Sequence, residues 1–458
     1  MTVQIKIKMG SGMKRAEDGV MSPIKTNPIK AERGTEGSNA LYGKVAWRLI
    51  PFLFLCYAMA IVDRFNIGFA KLQFLRDLGM NDADFGFAAG IFSVGYVALE
   101  VPSNLLLSRI GTRRTLLRIM VLWGFVTTLL MFARGRYTFY GLRFLLGAAE
   151  GGFFPGILFY LTLWFPARLR GQMTSLFVMA VPLSGVIAGP VSGLIMDGMQ
   201  GVGGLHGWQW LFCVEGFPAI LLGITAFFYL PDRPGAARWL SPGEKAKIAT
   251  DLDADRRAAS GGAKDFRAAL REPAVLLLAF IYFTYFCLLN TSLLWAPTLL
   301  KRAGVASATG IGWLSGLVSI VAAIGMVAVS YSSDHRRERR WHVALCGFVA
   351  SACFLALPLA SHTAAGTVAL IAIAAIGIYG ILGLYWTIPS ALLNDAAAAS
   401  GIALISAVGS FGGAICPAFV GWVAVTTGSP YLAISAIALL NIAGMIALLV
   451  GVKRPITR

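Results

Sequence analysis

The chain alternates between twelve apolar stretches and shorter polar segments. Each stretch has roughly the 18–25 residues that an α-helix needs to cross the ~30 Å hydrocarbon layer of a bilayer. Because that layer offers no water to satisfy backbone groups, such stretches are expected to be helical. The pattern predicts an all-α membrane protein with twelve transmembrane helices, at about 45–69, 85–107, 115–133, 138–165, 171–196, 208–230, 273–299, 309–332, 342–361, 366–390, 399–425 and 430–452.

The longest polar segment between predicted helices separates the first six from the last six, and it carries Pro231, Pro234 and Pro242. We therefore expect five parts along the chain. They are a disordered cytoplasmic tail (1–44), a six-helix bundle (45–230), a cytoplasmic linker (231–271), a second six-helix bundle (272–452) and a short cytoplasmic tail (453–458).

Two local motifs indicate that the second six helices repeat the first. A basic loop begins at Ser108, and another begins 226 positions later at Asp334. A segment with glycine and proline recurs at nearly the same offset, with Pro190 in the fifth helix and Pro417 in the eleventh, 227 positions apart. Internal repeats of this kind place a binding site between the two halves near the bilayer midplane. The motifs predict two pseudo-symmetric six-helix bundles.

The formal net charge is +17, but the basic residues are not arranged as a nucleic-acid-binding surface. Of the 39 Lys and Arg residues, 31 lie in the tails and alternate loops of one predicted side. Two more, Arg64 and Arg143, lie inside apolar stretches. The other side holds six: Lys71, Arg76, Arg134, Arg136, Lys301 and Arg302. This bias is the positive-inside pattern, which places both termini in the cytoplasm.

Four charged residues in the predicted helices of the first half carry the argument for a site inside the membrane: Asp63, Arg64, Arg143 and Glu150. A charge at the bilayer centre costs about 2.5–3.5 kcal/mol on insertion scales, so these side chains are expected to face the bundle interior. Arg64 lies about six residues from the predicted outer end of its helix, at a depth similar to that of Arg143. Glu150 follows Arg143 by about two turns on the same face, roughly 10 Å deeper.

Two arginines beside a water-filled cavity suit a carboxylate ligand, because a guanidinium group binds carboxylate through two parallel hydrogen bonds. Burial favours the protonated form of a glutamic acid, whereas a nearby arginine favours the ionised form. Protonation of Glu150 would therefore free Arg143, which could couple proton binding to reorientation. Asp63 is the second expected proton-binding group. A purely structural salt-bridge network is the alternative interpretation.

Other polar and aromatic side chains are candidates for lining the same pocket: Tyr96, Asn290, Trp386, Ser406 and Ser410. Asn290 stands 226 residues after Arg64, at the repeat-related position. For Tyr96 and Trp386, ordinary packing is an equal alternative. Acidic residues near the predicted helix ends are expected to act as gates, caps or interface charges: Glu100, Asp197, Glu215 and Asp395.

Several segments together resemble the major facilitator superfamily over residues 45–452, and within it the anion:cation symporter family. They read Asp63-Arg64-Phe65-Asn66-Ile67-Gly68-Phe69-Ala70, Glu100-Val101-Pro102-Ser103-Asn104, Arg143-Phe144-Leu145-Leu146-Gly147-Ala148-Ala149-Glu150-Gly151-Gly152-Phe153-Phe154-Pro155 and Tyr385-Trp386-Thr387-Ile388-Pro389-Ser390. The chain is similar to the bacterial carriers of tartrate, phthalate, aldarates and hydroxyphenylacetate. The resemblance implies a monomeric carrier in the bacterial inner membrane, surrounded by lipid, that takes up a small organic anion with protons by alternating access.

The basic loops resemble the signature that this superfamily carries between helices 2 and 3 and between helices 8 and 9. The resemblance makes Arg109, Arg113, Asp334 and Arg339 the expected gating residues. The first loop departs from the signature, because Ser108 stands where an acidic residue is usual. The eleventh helix departs as well, since Ser406 and Ser410 stand where such carriers often have asparagines.

The sequence predicts neither an enzyme nor a bound cofactor or metal. The four histidines lie in or beside loops, and no Cys-x-x-Cys or His-x-x-x-His spacing occurs. A channel filter motif is absent as well. Within transport, a uniporter or an antiporter of similar anions remains open, as does a transporter-like sensor that binds solute without moving it.

Overall fold

The computed structural model describes residues 28–259, 272–360, 362–392 and 395–452. Within these ranges, twelve helices are long and apolar enough to cross a membrane, which confirms the predicted number. The helices are α1 (Pro28–Asp77), α2 (Asp82–Ile110), α3 (Thr112–Leu129), α4 (Arg136–Thr162), α5 (Ala167–Gly198), α6 (Gly207–Tyr229), α7 (Pro273–Arg302), α8 (Ala308–Arg336), α9 (Arg340–Ala360), α10 (Ala364–Pro389), α11 (Asp395–Thr427) and α12 (Tyr431–Gly451). A further helix, the linker helix (Pro242–Ala259), lies between α6 and α7.

Two of the spans are interrupted beside candidate site residues. In α4 the first segment ends at Glu150, and a second one begins at Phe153. The break falls on two glycines, and Gly152 has a φ of 91°, a left-handed conformation that favours glycine. In α10 the helix breaks at Tyr385 and Trp386. Each break brings irregular backbone to a position where the sequence predicts binding chemistry.

The first helix is longer than the sequence suggests. Its predicted end is residue 69, with Lys71 in an outer loop, whereas α1 continues to Asp77 and buries Lys71. The Lys71 ammonium group forms an ion pair with Asp82 at 2.9 Å and lies 3.4 Å from the centre of the Trp295 ring. A carboxylate and an aromatic face replace water around this cation, which is why it need not lie in a loop. Arg64 is therefore thirteen residues from the end of its helix rather than six.

Helix packing repeats with an offset of six helices. The pair α2–α4 corresponds to α8–α10, and the pair α3–α6 corresponds to α9–α12. Between the halves, α2 packs against α11 and α5 packs against α8, which are again repeat-related pairs. This order is what duplication of a six-helix unit predicts. The residue bounds of the predicted domains stay predictions, and the segments 1–27, 260–271 and 453–458 lie outside the described residues.

Close backbone contacts join the two halves at one end of the bundle. A Cβ atom at Gly421 of α11 would lie 2.2 Å from the Asp82 carbonyl oxygen, so only glycine permits this approach. Polar contacts join the halves at the same end. Lys301 Nζ donates to the Leu72 carbonyl oxygen at 2.9 Å, and the backbone N–H of Thr309 donates to Asp197 at 2.7 Å. These contacts close the end of the bundle that the charge pattern predicts to be the outer one.

Candidate functional site

Arg64 on α1 and Glu150 at the break in α4 form an ion pair. Arg64 Nε donates to Glu150 Oε1 at 3.0 Å, and a terminal guanidinium nitrogen contacts the same oxygen. The Arg64 side chain is 31% exposed, whereas that of Glu150 is 1% exposed. The guanidinium group therefore stands between a buried carboxylate and solvent-accessible space.

Arg143 does not form the expected pair with Glu150, because α1 approaches α4 closely enough for Arg64 to take that carboxylate. The sequence places Glu150 roughly 10 Å deeper than Arg143 and puts Arg64 at a depth similar to Arg143, yet the Arg64 side chain reaches Glu150. Arg143 is buried, and its Nε donates to the Ala88 carbonyl oxygen at 3.5 Å. Its electrostatic partners include Asp63.

Asp63 lies next to Arg64 in sequence but faces a different set of partners. It is 2% exposed, and its Oδ1 accepts a hydrogen bond from the Thr127 hydroxyl of α3 at 2.9 Å. A longer contact of 3.4 Å comes from the Asn66 side-chain amide. The structure therefore gives the two predicted proton-binding carboxyl groups different hydrogen-bond partners: Arg64 for Glu150, and a hydroxyl and an amide donor for Asp63.

Aromatic rings of α2 surround the two arginines. The Arg64 guanidinium carbon lies 5.3 Å from the Tyr96 ring centre and 5.8 Å from that of Phe92. The Arg143 guanidinium carbon lies 4.6 Å from the same Phe92 ring. Phe92 thus contacts both cations, and its aromatic face compensates part of their lost hydration. The structure places the predicted residue Tyr96 beside Arg64, whereas Phe92 was not anticipated.

On the second half, the predicted residues of α7 and α10 lie among aromatic side chains. Asn290 Nδ2 donates to the Phe286 carbonyl oxygen of its own helix at 2.9 Å. Trp386, at the break in α10, lies 4.9 Å from Tyr282 and 5.5 Å from Tyr385 between ring centres. The side-chain oxygen of Asn290 is left to accept a hydrogen bond from another group.

Ser406 and Ser410 lie on the interior side of α11. Phe411, Ile415 and Trp422 form an exposed apolar stripe on this helix. At about 100° per residue, the two serines fall on the far side of the helix from that stripe. The Ser406 side chain is nevertheless exposed. Solvent-accessible space therefore lies next to the interior side of α11 around Ser406. Ser410 Oγ donates to the Ser406 carbonyl oxygen at 3.1 Å.

The predicted gating residues have different surroundings in the two basic loops. Asp334 and Arg339 form an ion pair in the second loop. In the first loop, the backbone N–H of Arg113 donates to Asp232 at 3.0 Å, and the Arg113 guanidinium carbon lies 4.5 Å from the centre of the Phe227 ring. Arg109 is exposed. Asp232, which follows α6, supplies the carboxylate that the first loop lacks; the Ser108 side chain lies outside the described residues.

The acidic residues that the sequence places near helix ends have different surroundings in the structure. Asp197 contacts the start of α8, as an interface charge should. Glu215 lies inside α6 rather than at its end, is 4% exposed, and accepts a hydrogen bond from the Ser192 hydroxyl of α5 at 2.9 Å. Glu100 is partly buried and within electrostatic range of Arg64. The Asp395 side chain lies outside the described residues.

Two tyrosines that were not predicted belong to the same region. Tyr57 lies on α1, seven residues before Arg64, and its ring centre is 4.5 Å from that of Phe177. Tyr282 on α7 follows Tyr57 by 225 positions and stacks on Tyr385 at 4.8 Å. The near-repeat spacing was the signal that could have identified them. Both tyrosines carry hydroxyl groups that can bond to a polar ligand.

Comparison with known proteins agrees with this architecture. A profile of the Major Facilitator Superfamily matches residues 53–417. The chain is 43% identical to "Putative metabolite transport protein NicT" of Pseudomonas putida, over 87% of this chain and 91% of that protein. It is 40% identical to a "Putative tartrate transporter" of Agrobacterium vitis, over 90% of this chain and 89% of that protein.

A solved structure shares the fold. The bacterial homolog of the human lysosomal transporter Spinster, in an inward-facing and unoccupied conformation, aligns with a TM-score of 0.65. The alignment covers 88% of this chain and 95% of that chain at 19% sequence identity. At that identity the likeness concerns the fold alone.

Proposed function

The chain belongs to the major facilitator superfamily and is a membrane transporter rather than an enzyme, and from that premise we propose that it takes up a small organic carboxylate together with protons. It would do so by alternating access between the two halves, as a monomer in the bacterial inner membrane with both termini in the cytoplasm. The observation that carries the proposal is the ion pair between the partly exposed Arg64 and the buried Glu150.

Arg64 is the group that would bind the substrate carboxylate. Its guanidinium group has five N–H donors in a planar fork. Glu150 Oε1 accepts hydrogen bonds from Nε and from one terminal nitrogen of this group. Arg143 is buried beside Phe92. In this conformation a substrate can therefore contact Arg64 but not Arg143. We assign Arg143 to balancing the charge of Asp63 and to supporting the site.

Coupling to protons would follow from competition for Arg64. An ionised Glu150 holds the guanidinium group, whereas a protonated Glu150 carries no charge and releases it for the substrate carboxylate. Substrate binding and proton binding then favour one another, because the coupling free energy between two sites is reciprocal. Asp63 is the second proton-binding group in this scheme, in contact with donors of α1 and α3.

The second half would supply the hydroxyl and aromatic contacts. Asn290, Ser406 and Ser410 offer hydrogen-bonding groups, and Trp386 and Tyr282 offer ring faces. Hydroxyl-rich dicarboxylates and sugar acids would use the hydrogen-bonding groups, whereas an aromatic acid would stack on the ring faces. The similar protein of Agrobacterium vitis that is named for tartrate transport favours the hydroxy acids.

Uptake of labelled tartrate into proteoliposomes tests the proposal. We expect saturable uptake that an inward proton gradient accelerates and that drives accumulation above equilibrium. Uptake without accumulation would indicate a uniporter, and uptake that requires internal anion would indicate an antiporter. Binding without flux would indicate a sensor.

A further inference from the structure

Glu215 belongs to a second buried polar cluster that the scheme above does not use. The cluster comprises Glu215 on α6, Ser192 on α5, and Asn66 and Asp63 on α1. Glu215 Oε1 accepts a hydrogen bond from Ser192 Oγ, and the Asn66 side chain lies near the Glu215 carboxyl group. All four side chains are 4% exposed or less.

The cluster contains more acceptors than donors. Glu215 Oε2, Asn66 Oδ1 and Asp63 Oδ2 are buried and have no hydrogen-bond partner within the described part of the chain. An unsatisfied buried acceptor is costly, and an ionised carboxylate can only accept. A proton on Glu215 would convert Oε2 into a donor, and Asn66 Oδ1 is an unpartnered acceptor of the same cluster that such a donor would suit.

The electrostatic surroundings also favour a neutral Glu215. The ionisable group within its range is Asp63 on α1, which has like charge when ionised. The neighbouring α5 contributes the uncharged Ser192, and Gly216 of α6 packs against the uncharged Gly124 and Thr128 of α3. Among the described residues, no Lys or Arg forms an ion pair with Glu215.

The hydrogen-bond partner on α5 links the cluster to the contact between the halves. Ser192 lies between Gly189 and Gly193, which pack against the backbone of α8. A Cβ atom at Gly193 would lie 2.5 Å from the Ala308 carbonyl oxygen, so this contact is close. Opening of the α5–α8 contact during alternating access would therefore uncover this segment of α5 and let water approach the cluster.

From this geometry we propose that Glu215 is a third proton-binding site of the carrier, protonated while α5 packs against α8 and ionised when that contact opens. The proposal rests on the proton coupling proposed above, to which it adds a carboxyl group outside the substrate pocket. Its ligand is the proton, and the conformational change to which it responds is the opening of the α5–α8 contact.

Infrared spectroscopy of the purified carrier tests the protonation directly, without substrate. We expect a protonated-carboxyl band at neutral pH that titrates away at high pH and is lost in Glu215→Gln. In Ser192→Ala the band should persist at a shifted frequency, because one hydrogen bond to the carboxyl group is removed. A protonated-carboxyl band left unchanged by Glu215→Gln would show that Glu215 is ionised and would overturn the proposal. If the Gln variant does not fold, the absence of any shift in Ser192→Ala overturns it.

The proton-to-tartrate ratio, obtained from reversal potentials in proteoliposomes, tests the coupling. We expect a lower ratio for Glu215→Gln than for wild type, with tartrate exchange retained. A band that resists all pH values, together with an unchanged ratio, would make Glu215 a fixed hydrogen-bond donor and contradict the proposal. If wild-type uptake ignores the proton gradient, the proposed symport fails, while the infrared titration still decides whether Glu215 binds a titratable proton.

Discussion

The Arg64 guanidinium group serves two carboxylates in this account, one from the protein and one from the substrate. Its side chain is 31% exposed, so it can exchange one partner for the other without leaving a fully desolvated charge. Arg143 is 4% exposed, and removing its partners would leave such a charge. This difference in burial is the reason for assigning the substrate contact to Arg64.

Replacing Arg64 with lysine keeps the positive charge but removes the planar fork. We expect the apparent affinity for tartrate to fall about 10- to 100-fold, since a charge-assisted hydrogen bond is worth roughly 1.5–3 kcal/mol. Concentration-dependent uptake in proteoliposomes measures this. Arg76→Lys, at a side chain that is 88% exposed, is the matched control and should be neutral. Equal affinities in both variants would place the anion site elsewhere.

Ser406 and Ser410 should influence which hydroxy acid is preferred. Replacing both with asparagine adds an amide donor and acceptor on the interior side of α11. We expect the rank order of tartrate, sugar acids and aromatic acids to change in a competition assay. An identical rank order in the double variant would mean that the serines only pack.

At the residue scale, the sequence identified the chemistry but not the partners. The cost of a membrane-buried charge was enough to single out Asp63, Arg64, Arg143 and Glu150. Their pairing depends on how α1 is rotated against α4, which hydrophobic periodicity does not determine. Glu215 was expected to be a gate, cap or interface charge near a helix end. The structure buries it against Ser192 of α5, a partner on another helix that the sequence does not reveal.

At the scale of helices, the two contacts between the halves depend on glycine. Gly86 of α2 lies against the backbone of α11, and a Cβ atom there would be 2.3 Å from the Pro417 carbonyl oxygen. The atoms that it would meet are backbone atoms of Pro417 and Ala418, so a rotamer change cannot relieve the clash. The closed end of the bundle therefore requires small residues at this position.

We predict that Gly86→Ala destabilises the closed end by about 1–3 kcal/mol, the usual cost of overpacking. Thermal unfolding in detergent should show a lower midpoint. Gly141→Ala on α4 is the matched control, because no atom lies within 4 Å of its added Cβ. The control should be neutral or slightly stabilising. A Gly86→Ala midpoint equal to that of the control would show that the helices separate freely here.

The number and order of the helices followed from apolar run length, but two boundaries did not. The end of α1 was predicted too early because Lys71 has the polarity of a loop residue, whereas its ion pair with Asp82 and its contact with Trp295 allow burial. The break in α4 falls at Gly151 and Gly152, inside the single helix that the apolar pattern predicts over 138–165. The end of α1 depends on the tertiary partners of Lys71, and the break in α4 depends on the left-handed backbone conformation of Gly152.

At the scale of the whole molecule, the contacts between Lys301 and Leu72 and between Thr309 and Asp197 lie at the same end. The exposed interior side of α11 at Ser406 indicates that solvent-accessible space lies between the halves. With the positive-inside orientation, this arrangement corresponds to a carrier closed to the outside. The orientation itself is a prediction from charge.

Cysteine tagging in whole cells tests the orientation. We expect Ala365→Cys, in the first turn of α10, to react with an impermeant maleimide added from outside. Ala249→Cys, on the linker helix, should react only after the membrane is permeabilised. Both residues are exposed, so burial does not limit either reaction. Labelling of both from the same side would contradict the predicted topology.

The central claim is that Glu150 couples proton binding to substrate binding through Arg64. Glu150→Gln mimics the protonated side chain, so Arg64 should be free for the substrate at every pH. The apparent affinity for tartrate, which we expect to fall toward alkaline pH in the wild type, should then be independent of pH in the variant. The decisive measurement compares tartrate counterflow with pH-driven uptake in the same proteoliposomes. We predict that Glu150→Gln retains counterflow, which needs no net proton movement, and loses accumulation driven by the proton gradient. Full proton-driven accumulation by Glu150→Gln would contradict the account and leave Asp63 as the coupling group.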